Sequence, residues 1–139
     1  MKIKINKLTQ KTIQPYGYII DSACVTDSGS GNSFGILLKE RSDGWRIGYL
    51  IVRDRTMQRL ECHQDSLETF EPVKGEAVIV LATHENPNNP KAFLLDKPVV
   101  LNKGVWHNVK ALSKVAELKI FENIDVKTEY HPLKDIVAL

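Results

Sequence analysis

Apolar residues along this chain recur in short runs, most of them too brief for a helix and many of them alternating with polar neighbours. Lys2 to Asn6 alternates charged and apolar positions, the pattern of an edge strand. Lys7 to Gln14 predicts a short helical turn ahead of Pro15, and Tyr18 to Ile20 is a brief apolar segment. Asp27 to Asn32 is a glycine- and serine-rich loop. Strands are predicted at Phe34–Lys39, at Trp45–Arg53 after a turn at Ser42-Asp43-Gly44, and at Met57–His63. Pro72 to Gly75 reads as a break, and Glu76 to Ala82 as a strongly apolar strand. The Asn- and Pro-rich stretch His84 to Pro90 predicts a loop. Further strands are expected at Ala92–Leu95, Pro98–Leu101, Val105–Val109, Val115–Phe121 and Asp125–Tyr130, with a helical turn within Pro132–Leu139. Short strands at fairly regular intervals, with little helix, predict an all-β sandwich or barrel.

Composition narrows this picture. At 139 residues the chain fits a single domain spanning 1–139, with no internal repeat, heptad pattern or linker. A net charge of +2 with acids and bases interspersed lacks the basic footprint of a nucleic-acid binder, so no nucleic-acid partner is expected. Lys2, Lys4, Lys7 and Lys11 read as a solvated edge. No apolar run approaches the ~20 residues that span a bilayer. The N-terminus shows no secretory h-region, so the expectation is a cytoplasmic protein with no membrane partner, whose Cys24 and Cys62 are reduced thiols without metal-motif spacing.

The chemistry concentrates between Glu61 and Gly75, in ECHQDSLETFEPVKG. On a strand, Glu61 and His63 share one face about 7 Å apart, and Cys62 takes the other. With Glu68, and with His107 in LNKGVWHNV, the chain offers two carboxylates and two imidazoles. These four suit either acid/base chemistry or a divalent transition metal such as Zn, Mn, Fe or Ni. Other readings stand beside these. The histidines could be interior groups satisfied by hydrogen bonds, and Glu68 could sit at a turn facing solvent. Arg53 and Lys103 could be surface charges, and Trp106 could be core.

The spacing of Glu61, His63, Glu68 and Gly75 resembles the first motif of the cupin superfamily, with Glu61 where a histidine is usual. Asn102, Gly104 and His107 resemble its second motif, with Asn102 in place of a proline. More narrowly, PYGYII, ECHQDSLETFEPVKGEAVIVLAT, KAFLLDKPVVLNKGVWHNVKAL and ELKIFEN resemble blocks of the ureidoglycolate lyase family, from Pro15 to about Asn123. Gly104-Val105-Trp106-His107 is the most specific piece. The chain departs from that family at Cys62, Gln64, Glu68, Asn108 and Val109.

The resemblance implies a cupin-type jelly-roll barrel and a homodimer formed by strand exchange or edge pairing. It implies a carbon–nitrogen lyase that releases urea and glyoxylate from ureidoglycolate. On that reading Glu61, His63 and His107 are catalytic. Arg53, Lys103 and Trp106 contact a small polar carboxylate substrate. Glu68 in place of glutamine shifts the set toward the metal-binding cupins, with Glu61, His63, Glu68 and His107 as ligands. Two alternatives stay open: a metal-dependent cupin acting on another small polar metabolite, and a non-catalytic cupin that binds a small ligand.

Overall fold

The computed structural model describes residues 1–139 and consists of two curled sheets. Its strands in chain order are β1 (Ile5–Asn6), β2 (Gly17–Ile19), β3 (Trp45–Val52), β4 (Thr56–Cys62), β5 (Glu68–Lys74), β6 (Ala77–Ala82), β7 (Lys91–Leu94), β8 (Val99–Leu101), β9 (Trp106–Ala111), β10 (Ala116–Asn123) and β11 (Glu129–Ala138). A one-turn helix, α1 (Gln10–Ile13), is capped by Thr9, whose hydroxyl accepts from the amide of Thr12. A 3-10 turn, Ser22–Cys24, follows β2. The first sheet runs β1-β7-β6-β9-β4-β11 and the second β2-β8-β5-β10-β3. Every pairing between these strands is antiparallel except β1 with β7, and an isolated parallel bridge joins Lys2 to Ala138.

The unbroken apolar run of β6 follows from its central place in the first sheet, where both faces are covered. Ile79 and Leu81 enter the core between the sheets, with Phe70, Phe93, Leu101 and Leu118. Val78, Val80 and Ala82 enter a second cluster, with Leu60, Cys62, Trp106 and Val137, against which Ile3, Ile5 and Leu133 pack. Each fully buried Val, Ile or Leu contributes about 1.5–3 kcal/mol relative to exposure.

Three expectations are corrected. Pro72 does not end a strand: β5 runs through it, and the register with β10 shifts between Glu117 and Leu118, opposite Pro72 and Lys74. The C-terminal segment is a strand rather than a helical turn, because β4 needs a partner on its outer edge and Glu129 to Ala138 supplies one. Phe34 to Lys39 forms no strand, since no neighbouring backbone pairs with it.

Candidate functional site

Glu61 closes β4 next to Cys62, and His63 follows directly. The period of the strand sends Leu60 and Cys62 into the second cluster and leaves Glu61 and His63 on the opposite face. Glu68 opens β5, and His107 sits second in β9, where its Cα faces that of Glu61. Two glycines shape the approach. Gly75 (φ 66°) turns the chain out of β5, and Gly104 (φ 79°) turns it into β9. The Gly104 amide donates to the carbonyl of His63 at 2.9 Å, which ties the end of β4 to the turn before β9.

The four predicted residues converge. One oxygen of Glu68, Oε2, lies 3.1 Å from His63 Nε2 and 3.0 Å from His107 Nε2. Glu61 Oε1 is 3.6 Å from His107 Nε2. His63, Glu68 and His107 are buried, whereas Glu61 is partly open. Glu68 is therefore a strand residue inside the barrel and not a solvent-facing turn residue.

The outer nitrogen of each imidazole is committed. His63 Nδ1 donates to the carbonyl of Lys127 at 3.1 Å, and His107 Nδ1 donates to the carbonyl of Val105 at 3.0 Å. A carbonyl only accepts, so each Nδ1 carries a proton, and each neutral ring turns an Nε2 lone pair inward. Those lone pairs meet a carboxylate oxygen. Short as these contacts are, Glu68 Oε2 and His107 Nε2 lack a properly directed hydrogen-bond partner. Between neutral rings and a carboxylate, lone pairs at such distances repel one another. The arrangement is relieved by protons on the Nε2 atoms or by a bound cation.

Charge follows from this packing. Burial opposes the imidazolium forms of His107 and His63, but contact with the Glu68 carboxylate outweighs it and raises both pKa values. Burial likewise opposes the Glu68 carboxylate, and the two histidines overcome it, holding the group well below the usual carboxylate range.

Two overlapping groups of donors could hold a cation. One ligand atom from each of Glu61, His63 and His107 lies within 4.8 Å of the others, and the same holds for His63, Glu68 and Glu122. Ligand atoms about 2.1 Å from a shared ion sit roughly 3.0–3.4 Å apart at octahedral or tetrahedral angles. Metal-bound histidines characteristically donate their other ring N–H to a carbonyl or carboxylate, as both do here.

Glu68, His107, Phe70 and Glu61 border a cavity of about 530 Å³, which opens past Val52, Arg53 and Lys110. That volume suits a small metabolite. Arg53 is among the residues that line this cavity. Lys103 is not: it pairs with Glu40 and borders a different depression. Trp106 is not a substrate wall either. It sits beside His107 on a strand, so it points to the other face, into the second cluster, where it lies parallel to the ring of His84 and its Nε1 donates to the His84 carbonyl.

Sequence reasoning passed over Lys110 and Glu122. Burial lowers the pKa of Lys110, and the charges of Asp54 and Glu61 oppose that shift. Glu122 lies opposite Glu68 across β10 and β5, and Arg46 grips it at 2.8 Å. Burial and the Glu68 charge raise its pKa against the pull of Arg46. Only the strand register brings Glu122 to Glu68, and no local motif signals it.

A scan against protein-family profiles and a search of curated protein sequences both find no match. Solved structures do match. The dTDP sugar isomerase of Desulfovibrio desulfuricans G20 aligns with a TM-score of 0.56 and 14% identity, covering 86% of this chain and 83% of its own. The capsular polysaccharide assembling protein CapF of Staphylococcus aureus aligns at 0.54 and 17% identity over 68% of this chain. Procruciferin, an 11S globulin of Brassica napus, aligns at 0.51 and 11% identity over 61%. The chain spans only 27% of CapF and 22% of procruciferin. Such identities speak to fold alone, and the fold they share with this chain is the cupin-type jelly-roll barrel.

Proposed function

We propose that this protein is a metal-dependent cupin enzyme acting on a small polar carboxylate metabolite. The observation that carries the reading is the pair of carbonyl-fixed imidazoles whose Nε2 atoms converge on one oxygen of the buried Glu68. His63, His107 and Glu68 would hold a divalent transition metal, with the more exposed Glu61 left beside it as a base. The metal would supply Lewis acidity toward a substrate oxygen. Arg53 and Lys110, both on the cavity wall, would receive the substrate carboxylate.

Within this reading the first substrate to test is ureidoglycolate, supported by the sequence block around Gly104-Val105-Trp106-His107 and by Arg53 on the cavity wall. Partly exposed Glu61 would take the proton from the substrate hydroxyl. The carbon–oxygen double bond of glyoxylate forms as the carbon–nitrogen bond breaks, and the departing urea nitrogen takes up a proton. The likeness to a dTDP sugar isomerase, over 86% of this chain, adds dTDP-linked sugars to the panel.

The test is elemental analysis of the purified protein, before and after loading with Zn, Mn, Fe or Ni, alongside turnover assays on that panel. One metal per chain with turnover supports the reading. Absence of stoichiometric binding for every metal overturns the metal assignment. Metal binding without turnover of any carboxylate points instead to a ligand-binding cupin.

A further inference from the structure

His84 is no member of the donor set, yet three contacts bind it to the turn that presents His107. Its side-chain Nδ1 lies 3.1 Å from the carbonyl oxygen of Gly104. A carbonyl only accepts, so Nδ1 carries the proton and donates. The His84 carbonyl in turn accepts from Trp106 Nε1 at 3.3 Å. The imidazole and the Trp106 indole lie 3° from parallel, with centroids 5.8 Å apart. The ring also covers Gly104, where an added β-carbon would meet His84 Nδ1 at 3.7 Å.

Gly104 needs such a restraint. At φ 79° it occupies a region that glycine enters and leaves freely, so residue 104 does not hold its own conformation. The peptide group that follows joins the Gly104 carbonyl to the Val105 nitrogen in one rigid plane. The nitrogen end of that plane reaches the Asn102 carbonyl only at 3.4 Å, long for a hydrogen bond. The oxygen end is the one His84 grips. The next carbonyl, that of Val105, accepts from His107 Nδ1 at 3.0 Å. Trp106 and His107 take opposite faces of β9. His84 therefore holds the turn from the side of the second cluster, and His107 leans on it from within, beside Phe70.

We infer that His84 is a positioning residue for the site: by holding the Gly104 carbonyl it sets the plane from which the Val105 carbonyl is aimed at His107 Nδ1. With Nδ1 engaged, the His107 ring stays turned so that Nε2 faces Glu68. The chain of contacts runs from an exposed loop residue, through Gly104 and Val105, to a buried imidazole. Its consequence for metal affinity rests on the metal-dependent reading. Its consequence for the His107 proton does not, and belongs to the metal-free protein.

Nitrogen-15 NMR of the metal-free full chain reads that proton, and metal titration of the same samples reads affinity. His84→Phe keeps a flat ring against Trp106 and removes the donor. His84→Asn keeps an N–H at the same distance along the side chain and removes the ring. In His84→Phe, exchange of the His107 Nδ1 proton with water should quicken about tenfold, the worth of one net hydrogen bond. Metal affinity should fall about tenfold, the low end for groups behind a ligand. His84→Asn should restore both toward wild type. Equal losses in the two variants assign His84 to packing and overturn the inference. So does a proton that exchanges freely in the wild type, or at the wild-type rate in His84→Phe. A protein that binds no metal sinks the metal reading alone, and the proton exchange then decides the positioning role.

Discussion

Glu61 and His107 face each other as the one register pair joining β4 to β9. The two strands that carry the site's opposite halves are thus stitched together at the site itself. Changes here should act on chemistry and on local pairing in separable ways. Glu68→Gln keeps shape and removes charge, so the fold should persist while metal affinity falls at least ~10–100-fold, the range seen even for outer-shell changes. Calorimetric titration of the variant with the wild-type metal checks this; unchanged affinity removes Glu68 from the ligand set.

Metal-free protein should show a distinctive pH profile. His63 and His107 have raised pKa values, so their stabilisation is present below the ordinary imidazole range and is lost as pH rises through the raised values. Glu68 is lowered, so its contribution is present above the ordinary carboxylate range and is lost as pH falls through its low value. The Tm of chelator-treated protein should therefore be highest between about pH 5 and 6 and decline toward pH 8. Added metal should raise Tm more at pH 8 than at pH 6, because it competes with protons for the same nitrogens. A flat metal-free profile would show that the trio does not carry this charge.

Trp106→Ala should destabilise the barrel by about 3–5 kcal/mol, the cost of emptying a large buried aromatic site. Urea denaturation measures it. If Trp106 contacted substrate instead, stability would barely change and KM would rise.

Arg53 and Lys103, alike as sequence candidates, should separate cleanly. Lys103→Ala removes a surface ion pair worth about 0–1 kcal/mol and should leave KM unchanged. Arg53→Ala should raise KM for a carboxylate substrate about tenfold with kcat little altered. Steady-state kinetics on both variants, once a substrate is found, decides the matter, and equal effects would contradict the cavity's placement.

Cys24 and Cys62 differ as targets. Cys62 is fully buried, and burial, helped by Glu129, pushes its thiol up to about 11. Native protein exposed to a maleimide at neutral pH should react at Cys24, which is only partly covered. Mass spectrometry locates the adduct; rapid labelling of Cys62 would mean that the second cluster opens readily.

Much of the site was legible because strand alternation is a local rule. Glu61, Cys62 and His63 divide between two faces as the period requires, and Gly75 and Gly104 mark the turns after β5 and before β9. What lay beyond reach was tertiary. Trp106 and His107 are adjacent in a strongly apolar block, and nothing local says which of the two faces holds the site and which holds a second core. Lys103 looked like a binding residue until its partner, 63 positions earlier in Glu40, was known. Glu122 joins Glu68 only through β10 pairing with β5. The sequence predicts a strand only to Tyr130 and a helical turn within Pro132–Leu139, whereas pairing with β4 extends β11 through to Ala138.

The carbonyl that fixes His63 comes from Lys127, in the five-residue connection between β10 and β11. Proton placement at the buried ring is therefore governed by a surface loop whose geometry depends on how β11 is seated. Loosening that last strand, by a fused tag or by trimming, would free the ring to flip or change tautomer without touching any residue of the cavity. Under the metal reading such a protein would hold the ion less well, which makes the C-terminal strand a poor place for an affinity handle and a sensitive place to tune the site from outside.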